Sequence, residues 1–174
     1  MFKFRDLTEK DIDIRVGQIG VYEGNNGWAT LLLYKNARVD MSILDETVGP
    51  ENWQRKHYDC KGNLYCSVGI KCDNEWIWKD DCGAESFSDK EKGEASDSFK
   101  RACVNWGIGR ELYTVGPIFV SIPVKKNKKG AIIPNGEFIV EKIKIVNKEI
   151  VGLAIKIVNN NGEKRIFVLN KQEI

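Results

Sequence analysis

The chain of 174 residues is poor in the side chains on which enzyme active sites and metal centres depend. Its single histidine, His57, leaves little material for acid–base catalysis. Its cysteines include no C-x-x-C pair, so their spacing does not predict a zinc site; they are Cys60, Cys66, Cys72, Cys82 and Cys103. Their odd number, and the lack of a hydrophobic signal region at the N-terminus, favour a reducing cytoplasm.

The motifs of nucleotide and hydrolytic chemistry are also missing. The sequence has no G-x-x-x-x-G-K-[ST] loop, no dinucleotide fingerprint, no G-x-S-x-G elbow and no H-E-x-x-H pair. We therefore expect no cofactor, no bound metal and no enzyme that performs covalent chemistry. No apolar run approaches the roughly 20 residues that span a bilayer, so we expect no membrane partner.

A net charge of only +2 argues at first against a nucleic-acid partner, but it conceals an asymmetry. Residues 1–95 carry 13 basic and 18 acidic side chains, whereas residues 96–174 carry 14 and 7. An excess of basic residues in the C-terminal half is typical of a protein that binds a polyanion. A chance imbalance of solvated lysines is the alternative explanation.

Hydrophobic periodicity predicts a chain of short strands with two helices. Alternation of apolar and polar residues, bounded by turn residues, predicts nine strands: 12–22, 28–34, 53–61, 64–72, 75–82, 118–122, 138–146, 150–158 and 164–169. A period of 3.6 predicts a helix over residues 37–48, with Asn36 as N-cap and Gly49-Pro50 as stop. A capping box, Ser88 to Glu91, begins a second helix that runs to Trp106.

Cationic side chains on these helices are the candidate DNA-binding residues. Lys100 and Arg101 flank the solvent face of the second helix, and Arg38 lies in the first turn of the first helix. Such fixed cations suit phosphate groups. Lysines of the loop that follows strand 118–122 add further contacts: Lys125, Lys126, Lys128 and Lys129. Tyr65 shares a strand face with Ser67 and Lys71, so it is the aromatic ring we expect to be exposed for base stacking.

Two stretches resemble a known family. Residues 38–53 (RVDMSILDETVGPENW) resemble the opening helix and Gly…Trp corner of the Rad-fifty-two superfamily of single-strand annealing proteins. Residues 91–113 (EKGEASDSFKRACVNWGIGRELY) resemble its second signature, a long helix with Lys-Arg-Ala. Within this superfamily the sequence most resembles the short Sak-type recombinases of phages and prophages, over about residues 12–120.

The resemblance implies an α+β fold in which an antiparallel β-meander packs on a long helix, a β-β-β-α core. A short C-terminal β appendage completes the chain, and the protein forms ring or arc oligomers. The expected domains are a core at 1–122, a basic loop at 123–136 and a small β-meander at 137–174. The family's groove cations match Arg38, Lys100 and Arg101.

The resemblance also implies a function. Family members bind single-stranded DNA and pair complementary strands without ATP, in recombination and repair. We therefore expect single-stranded DNA, other copies of the chain and a host or phage single-strand-binding protein as partners, in the cytoplasm of a bacterial host. Two alternatives stay open: a binding or protein-interaction module without annealing activity, and a metal-dependent nuclease that uses Asp80, Asp81 and Glu85.

Overall fold

The computed structural model describes residues 2–84 and 90–171. Within them lie two α-helices, α1 (Ala37–Val48) and α2 (Lys90–Trp106), and three short 3-10 turns. Ten strands accompany them: β1 (Asp13–Glu23), β2 (Asn26–Tyr34), β3 (Trp53–Cys60), β4 (Asn63–Cys72), β5 (Glu75–Cys82), β6 (Ile118–Lys126), β7 (Ile132–Pro134), β8 (Glu137–Val146), β9 (Glu149–Asn159) and β10 (Gly162–Asn170). Neither helix of these described stretches is long and apolar enough to cross a membrane.

The predicted fold class is wrong. The described residues are mostly β, with 53% in strands and 24% in helices, and they form three sheets with two helices rather than a β-meander core on a long helix with a small appendage. The prediction failed because β1 and β2 do not join a central meander. They pair with each other, and β2 pairs with β6, about 90 residues later in the chain, in a sheet ordered β1-β2-β6-β7.

The chain forms two compact units that alternate along the sequence. The first comprises Met1–Asp6 and Asn36–Arg110, and the second comprises Leu7–Lys35 and Glu111–Ile174. This division redistributes the charge, since the first unit has 13 basic and 15 acidic residues and the second has 14 and 10. The basic excess therefore belongs to the second unit, at +4, while the first unit is close to neutral at −2.

In the first unit, β3, β4 and β5 form an antiparallel sheet with two tight turns. Lys61 and Gly62 both have positive φ, 55° and 75°, as a two-residue hairpin turn requires. Cys66, Val68 and Ile70 lie on one face of β4 and are fully buried. The helix α2 contacts β4 and β5, so this apolar face is covered by the helix.

The predicted limits of α1 are confirmed, with their physical cause. The side chain of Asn36 accepts a hydrogen bond from the backbone N–H of Arg38 at 3.0 Å, which satisfies one of the free amides of the first turn. Gly49, with φ 82°, ends the helix before Pro50. The Ser88 capping box lies outside the described residues, and α2 is described from Lys90.

The second unit contains the remaining two sheets. Strand β6 alternates cleanly: Ile118, Val120, Ile122 and Val124 are buried against the core, and the residues between them face outward. Residues 123–136, expected as a basic loop, hold the last four residues of β6 and all of β7. The strand continues through Pro123 because its carbonyl still accepts from Asn135 N–H at 2.9 Å. Strands β8, β9 and β10 form the third sheet.

Phe99 is the side chain whose removal we expect to destabilise the first unit most directly. It is fully buried, its ring centroid lies 6.1 Å from that of Trp53, and the Arg55 guanidinium sits 4.6 Å above it. Replacing it with alanine removes a large buried ring and leaves a cavity, so Phe99→Ala should cost about 3–5 kcal/mol. Denaturant unfolding followed by tryptophan fluorescence measures this, and Phe119→Ala, which removes an exposed ring, is the control. Equal midpoints for the two variants would contradict the packing.

Candidate nucleic-acid interface

The helix α2 carries two of the predicted DNA-binding cations at adjacent positions. Its inward stripe, Phe99, Ala102 and Cys103, is fully buried and fixes the rotation of the helix against its sheet. Trp106 anchors the C-terminal end, where its Nε1–H donates to the Val68 carbonyl at 2.9 Å. Lys100 and Arg101 are therefore held at defined positions on a rigid element.

Both cations have an acidic neighbour. Arg101 Nε lies 3.2 Å from Asp81 Oδ1, at the end of β5, and its side chain remains 45% exposed. Lys100 Nζ lies 3.7 Å from Asp97 Oδ1, one turn earlier in α2. Exposed ion pairs of this kind contribute little stability, so a phosphate can compete for either cation at low cost.

Arg38 lies in the first turn of α1 and its side chain is exposed. Its backbone N–H is used by the Asn36 cap, and no described residue forms an ion pair with its guanidinium. Because α1 and α2 contact one another within the first unit, Arg38, Lys100 and Arg101 lie on two adjoining helices. The three predicted groove cations therefore belong to one compact unit.

Tyr65 lies on the face of β4 opposite to α2. Its ring is stacked on that of Tyr58, its partner in β3, with centroids 5.6 Å apart and an angle of 22°. The ring is half-buried, and Ser67 on the same face is buried, so this face is less exposed than the sequence suggested. Each tyrosine covers one face of the other ring, and Tyr58 remains 38% exposed.

Three further side chains, Tyr58, Lys56 and Trp78, share the outer face with Tyr65. Lys56 Nζ lies 4.2 Å above the Trp78 ring, a cation–π contact. The indole lies over Gly69, where any Cβ would come within 2.8 Å of it. Alternation in β3 and β5 would have placed these side chains on one face, but only the pairing register reveals that they touch.

Asp80 forms hydrogen bonds with two side chains of this outer face. It accepts a hydrogen bond from the Tyr58 hydroxyl at 2.9 Å and another from Ser67 Oγ. The hydrogen bond to Asp80 raises the pKa of Tyr58 above 10, because ionisation would break that bond and bring two negative charges together. The pKa of Tyr65 is also raised, chiefly by the charge of Cys82 when its thiol ionises and then by partial burial.

The hairpin lysines belong to the second unit, whereas α2 belongs to the first. Lys125 and Lys126 end β6, and Lys128 and Lys129 lie in the turn that leads to β7. All four are exposed. Asn127 shapes this turn, since its Oδ1 accepts from the backbone N–H of both Lys129 and Ala131. These hydrogen bonds give the turn a defined shape, and the hairpin exposes four cations.

The acidic residues of the nuclease alternative do not converge. Asp80 faces the tyrosine pair, whereas its neighbour Asp81 faces α2 and Arg101, as strand alternation predicts. Glu85 lies outside the described residues. Among the described residues, no three histidine, cysteine or acidic side chains are placed so that they could hold a metal ion.

Comparison of the chain with protein-family models, with curated proteins and with solved structures finds no match. The resemblance of residues 38–53 and 91–113 to the annealing proteins therefore rests on those residues alone. The candidate residues of the first unit are a pair of cations on α2, a third on α1 and a tyrosine stack on the opposite face of the sheet; those of the second unit are the lysines of the hairpin.

Titration of the tyrosines provides a direct check of the Asp80 contact. We expect Tyr58 and Tyr65 both to titrate above pH 10 in the wild-type protein, and Asp80→Asn to lower the midpoint of Tyr58 toward 10. A pKa raised in the folded state stabilises the fold below pH 10, and this contribution disappears as the pH rises through the folded value. Ultraviolet difference absorbance of the phenolate, with Tyr58→Phe as assignment control, measures the shift. An unchanged curve in Asp80→Asn would contradict the hydrogen bond.

Proposed function

We propose that this protein binds single-stranded DNA and anneals complementary strands without ATP, as a phage- or prophage-encoded factor in recombination and repair. The observation that carries the proposal is the pair Lys100 and Arg101, held side by side on α2 by a fully buried stripe. This pair falls within the stretch that resembles the long helix of the annealing family. Arg38 on the adjoining helix supplies a third cation of the same unit.

The chemistry follows from charge and geometry. Arginine can fork onto phosphate oxygens and lysine acts as a mobile point charge, so α1 and α2 hold the sugar–phosphate backbone and leave the bases unread. Bases that are not contacted stay available to a second strand. Annealing then needs no bond to be made or broken in the protein, and no nucleotide as energy source.

Other copies of the chain are the partners that this function requires. Three cations per chain neutralise too few phosphates for tight binding at physiological salt, because affinity scales with the number of phosphates contacted. Repetition of the same cations around an oligomer would supply a continuous track. A single-strand-binding protein of the host or phage is a further proposed partner, since it covers the DNA on which an annealing protein acts.

Removal of the α2 cations should weaken binding through electrostatics. We expect Lys100→Ala and Arg101→Ala each to lower the affinity for an oligo-dT. The slope of log affinity against log salt should flatten by about 0.7 for each phosphate of the single strand that the variant no longer neutralises. Fluorescence anisotropy over a salt series measures both quantities. Lys61→Ala, an exposed lysine of the β3–β4 turn, is the matched control, and a slope unchanged in both α2 variants would place the DNA elsewhere.

Annealing itself is tested with complementary oligonucleotides and no ATP. The wild-type protein should accelerate duplex formation at low salt, and the double variant Lys100→Ala/Arg101→Ala should not. Gel filtration of the same samples reports the oligomeric state. Binding without acceleration, by a chain that elutes as a monomer, would favour the simple binding module over the annealing protein.

Asp81 should oppose DNA binding, since it competes with phosphate for Arg101. We expect Asp81→Asn to raise the affinity for oligo-dT by up to about 5-fold, the range of a weak exposed ion pair. Asp73→Asn, at an exposed turn position of the same unit, makes the same charge change and is the control. If Asp81→Asn weakened binding as Arg101→Ala does, the carboxylate would hold Arg101 in place for DNA rather than compete with it.

A further inference from the structure

The outer face of the sheet β1-β2-β6 carries two large aromatic rings that the core does not use. The inner face of this sheet is closed by buried residues such as Ala29, Leu31 and Val120. On the outer face, Trp28 of β2 and Phe119 of β6 lie with their ring centroids 5.5 Å apart and an angle of 23°. Phe119 is 58% exposed, an unusual position for a phenylalanine next to a tryptophan.

Gly20 holds the tryptophan ring close to the sheet. It is the β1 partner of Trp28, and a Cβ on it would fall 2.5 Å from the indole nitrogen Nε1. The indole therefore covers the glycine, and the nearly parallel Phe119 ring stacks on the indole while most of the phenylalanine stays exposed. We call Trp28 and Phe119 the aromatic plate.

The lysine hairpin continues from the same strand. Residues 119, 121, 123 and 125 alternate to one face of the continuous strand β6, so Lys125 shares the face of the plate and Lys126 lies on the other. Lys125 and Lys126 also line a cleft of about 540 Å³ with residues of the β1–β2 turn, Gly24 and Asn25. The distance along the strand from Phe119 to Lys125 is about 20 Å, the length of several nucleotides.

We infer that the aromatic plate and the hairpin lysine Lys125 form a second contact for single-stranded DNA, which stacks unpaired bases on the plate through the exposed ring of Phe119 and takes phosphates on Lys125. The inference rests on the proposed function. Ring faces beside fixed cations are the combination that sequence-independent single-strand binders use. The surface also lies on the unit with the basic excess, +4, which complements a polyanion.

One set of binding measurements distinguishes base stacking on the plate from phosphate contacts of the lysine, because only the phosphate contacts depend strongly on salt. Phe119→Ala should lower the affinity for oligo-dT by between about 5-fold and about 150-fold, the range of one base stack, and leave the salt slope unchanged. Lys125→Ala should flatten the slope. An abasic oligonucleotide of equal length has the phosphates without the bases, so its affinity should be the same for Phe119→Ala and wild type. Tyr113→Ala, 68% exposed and outside the sheets, is the matched control.

A covalent readout gives the location. Ultraviolet crosslinking of oligo-dT that contains 5-iododeoxyuridine should label the peptides of Trp28 or Phe119 in the wild-type protein. Gly20→Val, which displaces the indole, should reduce the label at Trp28. Labelling confined to peptides outside β2 and β6 would overturn the inference.

Each alternative outcome overturns the inference in a recognisable way. Equal oligo-dT affinities of Phe119→Ala and Tyr113→Ala, while Lys100→Ala still weakens binding, would remove the plate and keep the proposed function. An equal decrease on the abasic oligonucleotide would mean that the ring is not a base-stacking surface. A change in elution volume without a change in DNA affinity would make the plate a contact between copies of the chain. A wild-type protein that binds no DNA would end both proposals.

Discussion

The burial of Phe99 between Trp53 and Arg55 is the contact on which the arrangement of the first unit depends. It fixes how α2 rotates against β3, β4 and β5, and helical geometry then decides where every other side chain of α2 must point. Lys100 and Arg101 reach solvent because their neighbours Phe99 and Ala102 are buried. The candidate cations are thus a consequence of packing, and a rotation of the helix would bury one of them.

The two units use one principle for different surfaces. In each, a sheet has one face closed by apolar side chains and an opposite face that carries aromatic rings over glycine: Trp78 over Gly69 in the first unit and Trp28 over Gly20 in the second. In the first unit the rings are engaged by Lys56 and Asp80. In the second unit Phe119 is left largely uncovered beside a lysine hairpin. The same arrangement of strands therefore gives an aromatic face whose rings contact neighbouring side chains in the first unit, and one with a largely exposed ring in the second.

Acidic side chains pair with the candidate cations of the first unit. Asp81 pairs with Arg101 and Asp97 with Lys100, so the α2 cations are partly neutralised before any polyanion arrives. Asp80 points the other way and fastens Tyr58 and Ser67. Two adjacent carboxylates with opposite partners are the expected result of strand alternation, which is why Asp80 and Asp81 do not converge on one site.

Local features of the chain were determined by the sequence. Asn36 and Gly49 bound α1 because capping and a left-handed φ are local events, and alternation located nearly every strand within one or two residues. Tertiary structure alone decided which strands pair. The partnership of β2 with β6 joins residues about 90 positions apart, and strand patterns carry no information on such distant partners. That pairing overturned the fold class, placed the lysine hairpin in a different unit from Arg101 and brought Phe119 beside Trp28.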